Sequence, residues 1–155
     1  MGKNLKIIVS GGGTGGHIFP AISIANAIKE QRPDAEILFV GANGRMEMER
    51  VPAAGYNIVG LPVMGFPRRL GISMITFFIS LARSMRDARR VIKQFNPDVV
   101  VGVGGYASGP ILRVATQLKL PAVIQEQNSF AGVTNRLVAK RVSKICVAYE
   151  KMENY

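Results

Sequence analysis

Short apolar segments alternate with longer helical patterns along the whole chain, and this alternation limits the folds that the chain can adopt. Six segments of strand length are rich in Val and Ile and mostly lack polar alternation, which is typical of parallel strands buried on both faces. They are Leu5–Val9, Ile37–Val40, Tyr56–Gly60, Val99–Gly102, Ala122–Gln125 and Lys144–Ala148. Helices are predicted near residues 18–31, 45–54, 71–95, 109–118 and 131–141. This order predicts an α/β fold with a Rossmann-like, doubly wound parallel sheet.

Composition excludes several other classes of protein. The 155 residues are 48% apolar, which is enough for one domain with its own core and too much for a disordered chain. The single cysteine, Cys146, permits no intrachain disulfide and indicates a reducing compartment; we predict that it lies in the core. No segment has the pattern of a secretory signal or of a membrane span. The chain stops soon after the last predicted strand, so we expect it to be truncated.

The first predicted strand leads into a glycine-rich segment, GGGTGGH over residues 11–17. Glycines let a backbone approach an anion closely, and the start of the following helix offers N–H groups to it. The segment contains G-x-G-x-x-G, but the next strand ends FVGAN over residues 39–43, without the carboxylate that would hold a dinucleotide ribose. His17 stands where a phosphate-binding P-loop has its lysine. The segment therefore predicts a phosphate cradle of another kind.

Two further strand ends carry polar or glycine-rich segments. The fourth strand continues as VGVGGYASGP over residues 101–110, where we predict that Ser108 caps the next helix. The fifth strand ends in QEQNS over residues 125–129. Because the carboxyl ends of parallel strands form the ligand crevice of such sheets, these segments predict a site for a polyanionic ligand such as a diphosphate.

Two titratable residues are candidates for chemistry at this edge. His17, the sole histidine, is a candidate general base or phosphate donor, with a structural role as the alternative. Glu126 is the second candidate, and its alternative is a hydrogen-bonded orienting role. No cluster of His, Cys, Asp and Glu has metal-ligand spacing, so we expect neither a metal nor another cofactor.

The segment before and within the long predicted helix is both apolar and basic. Residues 65–95 hold seven Arg and Lys against one acid, Asp87, within a chain of net charge +10. The predicted core stripe is Met74, Phe78, Leu81, Met85, Ala88 and Ile92. The first two turns are apolar nearly all round, which favours an element that dips into an anionic membrane surface. A solvated helix face and burial against a second domain or a dimer mate are the alternatives.

Three of these segments in register carry a resemblance to a known family. GGTGGHIFPA at residues 12–21, GGYASGP at residues 104–110 and EQN with AGVTN at residues 126–128 and 131–135 resemble the MurG family of bacterial N-acetylglucosaminyltransferases. The resemblance extends over essentially the whole chain. It implies transfer of N-acetylglucosamine (GlcNAc) from UDP-GlcNAc to lipid I, with inversion at the anomeric carbon, giving lipid II for peptidoglycan synthesis.

The resemblance also implies an architecture and a location. The expected fold is the N-terminal half of a GT-B glycosyltransferase, with residues 1–155 as the acceptor-binding domain and a C-terminal UDP-sugar domain absent from this chain. We therefore expect the chain alone to bind acceptor-like lipid weakly and to be inactive. The expected location is peripheral, at the cytoplasmic face of the bacterial membrane, alongside other cell-wall synthesis proteins.

The resemblance implies roles for individual residues. His17 is the expected catalytic base or hydroxyl positioner, and Glu126 shapes the same pocket. The expected donor contacts are Thr14, Gly15, Gly16 and Asn128. The expected contacts to the acceptor diphosphate are Gly13, Gly104, Gly105, Tyr106, Ser108 and Gln125. The expected membrane contacts are Phe66, Arg68, Arg69, Leu70, Ile72, Ile75, Phe77, Ile79, Arg83 and Arg86.

One departure and two alternatives remain. The family usually has a histidine where this chain has Gln125, and glutamine can supply a comparable hydrogen bond. An NAD-dependent oxidoreductase domain is one alternative, which the missing ribose carboxylate disfavours. A basic lipid- or nucleic-acid-binding module is the other. We expect no nucleic acid as partner, because the aromatic residues precede the arginines of the long helix instead of alternating with them.

Overall fold

The computed structural model describes residues 4–67 and 72–152 and contains one six-stranded, fully parallel sheet. Its strands are β1 (Lys6–Ser10), β2 (Glu36–Ala42), β3 (Asn57–Leu61), β4 (Val99–Gly102), β5 (Ala122–Glu126) and β6 (Lys144–Val147). Their spatial order is β3-β2-β1-β4-β5-β6. The predicted doubly wound fold is confirmed, and the strand order reverses between β1 and β4.

Helices connect the strands and cover both faces of the sheet. They are α1 (Gly15–Gln31), α2 (Glu47–Ala53), α3 (Ile72–Phe95), α4 (Ser108–Gln117) and α5 (Val133–Val138), followed by a 3-10 turn (Ala139–Arg141). One core cluster, around Ile8, Ile111 and Leu112, packs beneath α3 and α4. The other, around Val9 and Phe39, packs beneath α1 and α2. The strand side chains alternate between these layers because successive residues point to opposite faces.

Two predictions about burial are wrong. Among the described strands, β6 pairs only with β5, so it is an edge strand of this sheet, and all four of its residues are exposed. Cys146 is consequently exposed instead of lying in the core. The predicted core stripe of α3 holds only in its second half, where Ala88 and Ile92 are buried, whereas Phe78 is 57% exposed. In the first turns of α3, Ile75, Phe78 and Ile79 are exposed, whereas Phe77 contacts the ring of Phe66.

Candidate active-site crevice

The crevice lies at the carboxyl ends of β1, β4 and β5, where three loops meet. We call them the first glycine loop (residues 11–14), the second glycine loop (residues 103–107) and the polar loop (residues 127–132). The structure thus brings together the three segments that the sequence singled out, at the point where the strand order reverses.

The backbones of the two glycine loops are in direct contact. The amide N–H of Val103 donates to the carbonyl of Ser10 over 2.7 Å. A Cβ at Gly105 would collide with the carbonyl oxygen of Gly12, and the φ of Gly105 is +83°. Only glycine fits this close approach, which sets the spacing of the two loops.

His17 lies between the loops, in the first turn of α1. Its Nδ1 is 3.0 Å from the carbonyl oxygen of Val103 and 2.8 Å from Nε2 of Gln127. The ring also packs against Gly104, where a Cβ would come within 2.8 Å of Cε1. Nδ1 therefore faces an acceptor and a donor inside the protein, and these contacts leave Nε2 as the nitrogen that a ligand can use.

Gln127 ties the polar loop to α1, and sequence reasoning did not single it out. Its Nε2 donates to the carbonyl of Gly16 over 2.8 Å. That carbonyl lacks its usual helical partner because the residue four positions later is Pro20, which has no N–H. The proline within the helix was the available signal for this contact.

Glu126 is buried at the end of β5 and accepts four hydrogen bonds. Its Oε1 accepts from the backbone and side-chain nitrogens of Asn128 at 3.0 and 2.9 Å, and its Oε2 accepts from the backbone N–H of Gly132 at 2.9 Å and Asn135 Nδ2 at 3.0 Å. Burial alone would raise the pKa of Glu126, but these hydrogen bonds outweigh it and place the pKa below its usual 4.5. The carboxylate therefore holds the polar loop and orients Asn128.

Three of the other expected site residues have specific environments in the second glycine loop and its surroundings. Ser108 begins α4 but caps no N–H group; its hydroxyl donates to the carbonyl of Gly105 over 2.9 Å, so the predicted cap is wrong. Tyr106 is 55% exposed, and its ring lies beside Gly65. Gln125 has its side-chain oxygen buried without a hydrogen-bond partner in the described part of the chain.

The first glycine loop presents fewer N–H groups than its sequence suggests. Gly13 donates its N–H to the carboxylate of Glu47, at 3.2 and 3.1 Å to the two oxygens, so this group points away from the crevice. Thr14 and Gly16 are exposed, and Gly15 is half-buried at the start of α1. Asn128 is exposed as well, and the donor contacts expected of these four residues remain a prediction.

An apolar groove of about 760 Å³ lies beside the crevice, between α3 and the helices α4 and α5. Tyr106 belongs to the second glycine loop and also lines the groove. The other lining residues include Val63, Met64, Phe66, Phe77, Leu81, Met85, Pro110, Arg113, Val133, Leu137 and Arg141. The rings of Phe66 and Phe77 are 5.3 Å apart in an edge-to-face contact.

The expected membrane contacts are only partly visible. Ile75 and Ile79 are 61% and 48% exposed on α3, and Arg83 and Arg86 are exposed one to two turns later. The remaining expected contacts Arg68, Arg69, Leu70 and the side chain of Ile72 lie outside the described residues. Within the described ranges, no helix has the length and apolar character needed to cross a bilayer. Nor do those ranges contain a group of three or more His, Cys, Asp or Glu side chains suited to a metal ion.

Comparison with protein families decides which class of protein this crevice belongs to. The family model described as the glycosyltransferase family 28 N-terminal domain matches residues 7–147. The chain belongs to this family. Membership in family 28 disfavours the oxidoreductase alternative.

Two curated relatives of this family 28 domain carry the same name. The chain is 63% identical over 155 residues to the UDP-N-acetylglucosamine--N-acetylmuramyl-(pentapeptide) pyrophosphoryl-undecaprenol N-acetylglucosamine transferase of Phocaeicola vulgatus. It is 54% identical over 153 residues to the protein of the same name from Cytophaga hutchinsonii. It covers all or nearly all of its own length in these matches but only 41% and 42% of the relatives.

Solved structures agree with this placement. The crystal structure of Acinetobacter baumannii MurG matches 94% of the family 28 domain with a TM-score of 0.79 and 27% identity, and the match covers 42% of that chain. A UDP-N-acetylglucosamine 2-epimerase from Methanocaldococcus jannaschii matches with a TM-score of 0.64 at 17% identity, which shows a shared fold. The expected fold, the N-terminal half of a GT-B glycosyltransferase, is therefore confirmed.

Proposed function

We propose that this domain is the acceptor-binding part of an enzyme that transfers GlcNAc from UDP-GlcNAc to lipid I and so forms lipid II. The observation that carries the proposal is 63% identity, along the whole chain, to a relative named for this transfer. The crevice supports it chemically, because it places a histidine between two glycine loops at the switch point of the sheet, where α/β proteins bind their ligands.

In the proposed reaction, a hydroxyl oxygen of the acceptor sugar attacks the anomeric carbon of GlcNAc. The new carbon–oxygen bond forms as the bond from that carbon to UDP breaks, the configuration inverts, and UDP leaves with the bonding electron pair. The hydroxyl proton must be removed in this step. His17 is a titratable side chain that lies between the two glycine loops, and we assign its Nε2 to contact this hydroxyl.

The two partners of His17 Nδ1 correspond to two ways of acting. When Nδ1 carries the proton and donates to Val103, Nε2 has a lone pair and can act as the base. When Nδ1 instead accepts from Gln127, Nε2 carries the proton and can only orient the hydroxyl as a donor. Replacement by glutamine separates these roles, because glutamine offers an N–H donor but cannot act as a base at neutral pH.

We assign the acceptor diphosphate to the second glycine loop and the adjoining end of β5. Gly104 packs against the ring of His17, Gly105 abuts Gly12, and Tyr106 follows them in the same loop, while Gln125 lies at the end of β5. Gly13 shapes the loop opposite, but its N–H is already used by Glu47. Thr14, Gly15, Gly16 and Asn128 are assigned to the donor, and Glu126 orients Asn128.

We further propose that most UDP-sugar contacts come from residues outside this chain, since the chain spans 41% of the length of its P. vulgatus relative. The test measures transfer of labelled GlcNAc from UDP-GlcNAc to a lipid I analogue, by the chain alone and by the complete gene product. We expect transfer by the complete product and none by the chain. Absence of transfer by a folded complete product would overturn the proposed function, and transfer by the chain alone would overturn the division of labour.

We propose that the apolar groove and the exposed start of α3 face an anionic membrane at the cytoplasmic side, as a peripheral contact. Apolar side chains next to several arginines favour such a surface, and each basic residue near it contributes about 1 kcal/mol. Binding to vesicles with and without anionic lipid tests this. Ile75→Glu should weaken binding to anionic vesicles, whereas Glu30→Gln on the exposed part of α1 should not. Equal binding to neutral and anionic vesicles would contradict the proposal.

A further inference from the structure

Glu47, the first residue of α2, is a fully buried carboxylate next to the first glycine loop. Its Oε1 accepts hydrogen bonds from the backbone N–H of Ala42 at 2.9 Å and of Gly13 at 3.2 Å, and its Oε2 lies 3.1 Å from the same Gly13 nitrogen. One side chain therefore joins the carboxyl end of β2 to the loop that follows β1. Buried carboxylates are costly unless hydrogen bonds compensate them, and here the compensating donors are backbone groups of the crevice wall.

The surrounding backbone is shaped to admit this side chain. A Cβ at Gly12 would collide with the Glu47 carboxylate, and a Cβ at Gly41 would lie 2.5 Å from its Cγ. Two glycines on different strand ends thus leave the space that Glu47 fills.

Gly12 transmits the contact across the crevice. On one side it abuts Glu47, and on the other its carbonyl oxygen abuts Gly105 of the second glycine loop. Gly104 directly precedes Gly105 in the second glycine loop and packs against the ring of His17. We therefore expect a displacement of the first glycine loop to move the second loop and the histidine, because Gly12 and Gly105, and Gly104 and His17, are in close van der Waals contact.

We propose that Glu47 is a positioning residue of the site: it holds the first glycine loop at the spacing that the second loop and His17 require, and it withdraws the Gly13 N–H from the ligand. An anionic ligand is thereby directed toward the second glycine loop. The positioning part stands on the contacts alone, and the ligand part rests on the proposed function.

Amide hydrogen exchange of the chain tests the positioning part. Glu47→Asp keeps the charge but shortens the side chain by one methylene, so it should lose Gly13. Glu47→Gln keeps the reach, and with its oxygen in the place of Oε1 it can accept from both Ala42 and Gly13, but its amide nitrogen then replaces Oε2 and cannot accept from Gly13. We expect Glu47→Asp to speed exchange in residues 11–17 and 103–108 by about 10-fold or more, and Glu47→Gln, which keeps one acceptor in reach of Gly13, to speed it less than Glu47→Asp does.

Val51→Ala is the matched control on the same helix. Val51 is 1% exposed in the core cluster beneath α1 and α2, so its truncation weakens α2 without touching the loop hydrogen bonds. It should leave exchange in the two glycine loops unchanged relative to the rest of the chain. The proposal is overturned if Glu47→Asp exchanges like wild type, or if Val51→Ala speeds exchange in the two glycine loops as much as Glu47→Asp does.

Kinetics of the complete gene product test the ligand part. Glu47→Asp should raise the KM for the lipid I analogue by about 10-fold, since misplacing positioning groups by 1 Å can cost about 10²-fold. Glu47→Gln should recover most of this loss, and the KM for UDP-GlcNAc should change less than the acceptor KM in both. Equal changes for both substrates would overturn the ligand part. If the wild type transfers nothing, the proposed function fails, while the exchange comparison still decides the role of Glu47.

Discussion

The polar loop and the second glycine loop lie side by side in the crevice, yet they are held in different ways. The polar loop is organised by a buried carboxylate, Glu126, which accepts four hydrogen bonds. The second glycine loop has no such side chain among its described contacts and depends on close backbone contact with Gly12 and on the hydroxyl of Ser108. The comparison teaches that one loop is stabilised by charge and the other by fit. The stability of the polar loop should therefore depend on pH, and that of the second glycine loop on substitutions that add volume.

The largest expected effect comes from adding a methyl group at Gly105, where a steric clash and a positive φ both oppose it, and comparison with Gly13 separates these two costs. Gly105→Ala places a Cβ against Gly12 at a φ of +83°, and we expect a loss of about 3 kcal/mol or more in the free energy of unfolding. Gly13→Ala meets only Tyr106 Cδ2 at 3.9 Å, so it should lose about 1–2 kcal/mol from its φ of +88° alone. Urea unfolding measures both values.

Gly55→Ala supplies the control for this experiment. It has a φ of +86° with no atom within 4 Å of the added Cβ, and it lies after α2, away from the crevice. It should match Gly13→Ala. If Gly105→Ala cost no more than Gly55→Ala, the second glycine loop would not be held by fit.

Acid should weaken the polar loop through Glu126. Because the folded pKa of Glu126 lies below 4.5, the unfolded chain binds the proton first as the pH falls. Its contribution is therefore complete above about pH 4.5 and is lost as the pH falls through the lower folded value. Glu126→Gln should cost about 2 kcal/mol at pH 7, as expected for hydrogen bonds to a charged acceptor.

The difference between wild type and Glu126→Gln should shrink when unfolding is measured below pH 4.5. Glu30→Gln, an exposed change on α1, controls for the loss of one negative charge. A difference that stays constant from pH 7 to pH 3 would show that the polar loop does not depend on the charge of Glu126.

Removal of the Ser108 hydroxyl should have the smallest effect. Ser108→Ala loses one hydrogen bond to the carbonyl of Gly105 at a buried position, and we expect a cost of about 1 kcal/mol that does not vary between pH 5 and pH 8. Thr116→Ala, which loses a similar bond to Arg113 near the end of α4, is the control outside the crevice. A cost as large as that of Gly105→Ala would mean that the hydroxyl, and not the backbone fit, holds the second glycine loop.

The sheet and the three loops were predictable because both depend on local pattern. Val- and Ile-rich segments followed by glycines indicate buried parallel strands and their crevice ends, and the MurG-like motifs pointed to the family that the comparison then identified. Glu47 was not predictable, because it lies five residues beyond β2 and nothing in a helical acid shows that it will turn inward. The glycines at positions 12 and 41 that admit it look like ordinary turn residues.

Burial was the other feature that the sequence could not supply. A short apolar strand such as β6 reads alike at the centre and at the edge of a sheet, so the exposure of Cys146 follows only from the strand order. Similarly, the periodicity of α3 identifies an apolar stripe but not how much of that stripe is covered, so the 57% exposure of Phe78 was not predictable.

The central claim, that the crevice carries out sugar transfer through His17, is tested most directly by kcat of the complete gene product toward UDP-GlcNAc and a lipid I analogue. Wild type is measured beside His17→Ala and His17→Gln. We predict transfer by wild type and a loss of about 10²-fold or more in His17→Ala, within the range for a general acid–base residue. A similar loss in His17→Gln identifies a base, and recovery identifies a hydroxyl positioner. Wild-type kcat in a folded His17→Ala variant would contradict the account.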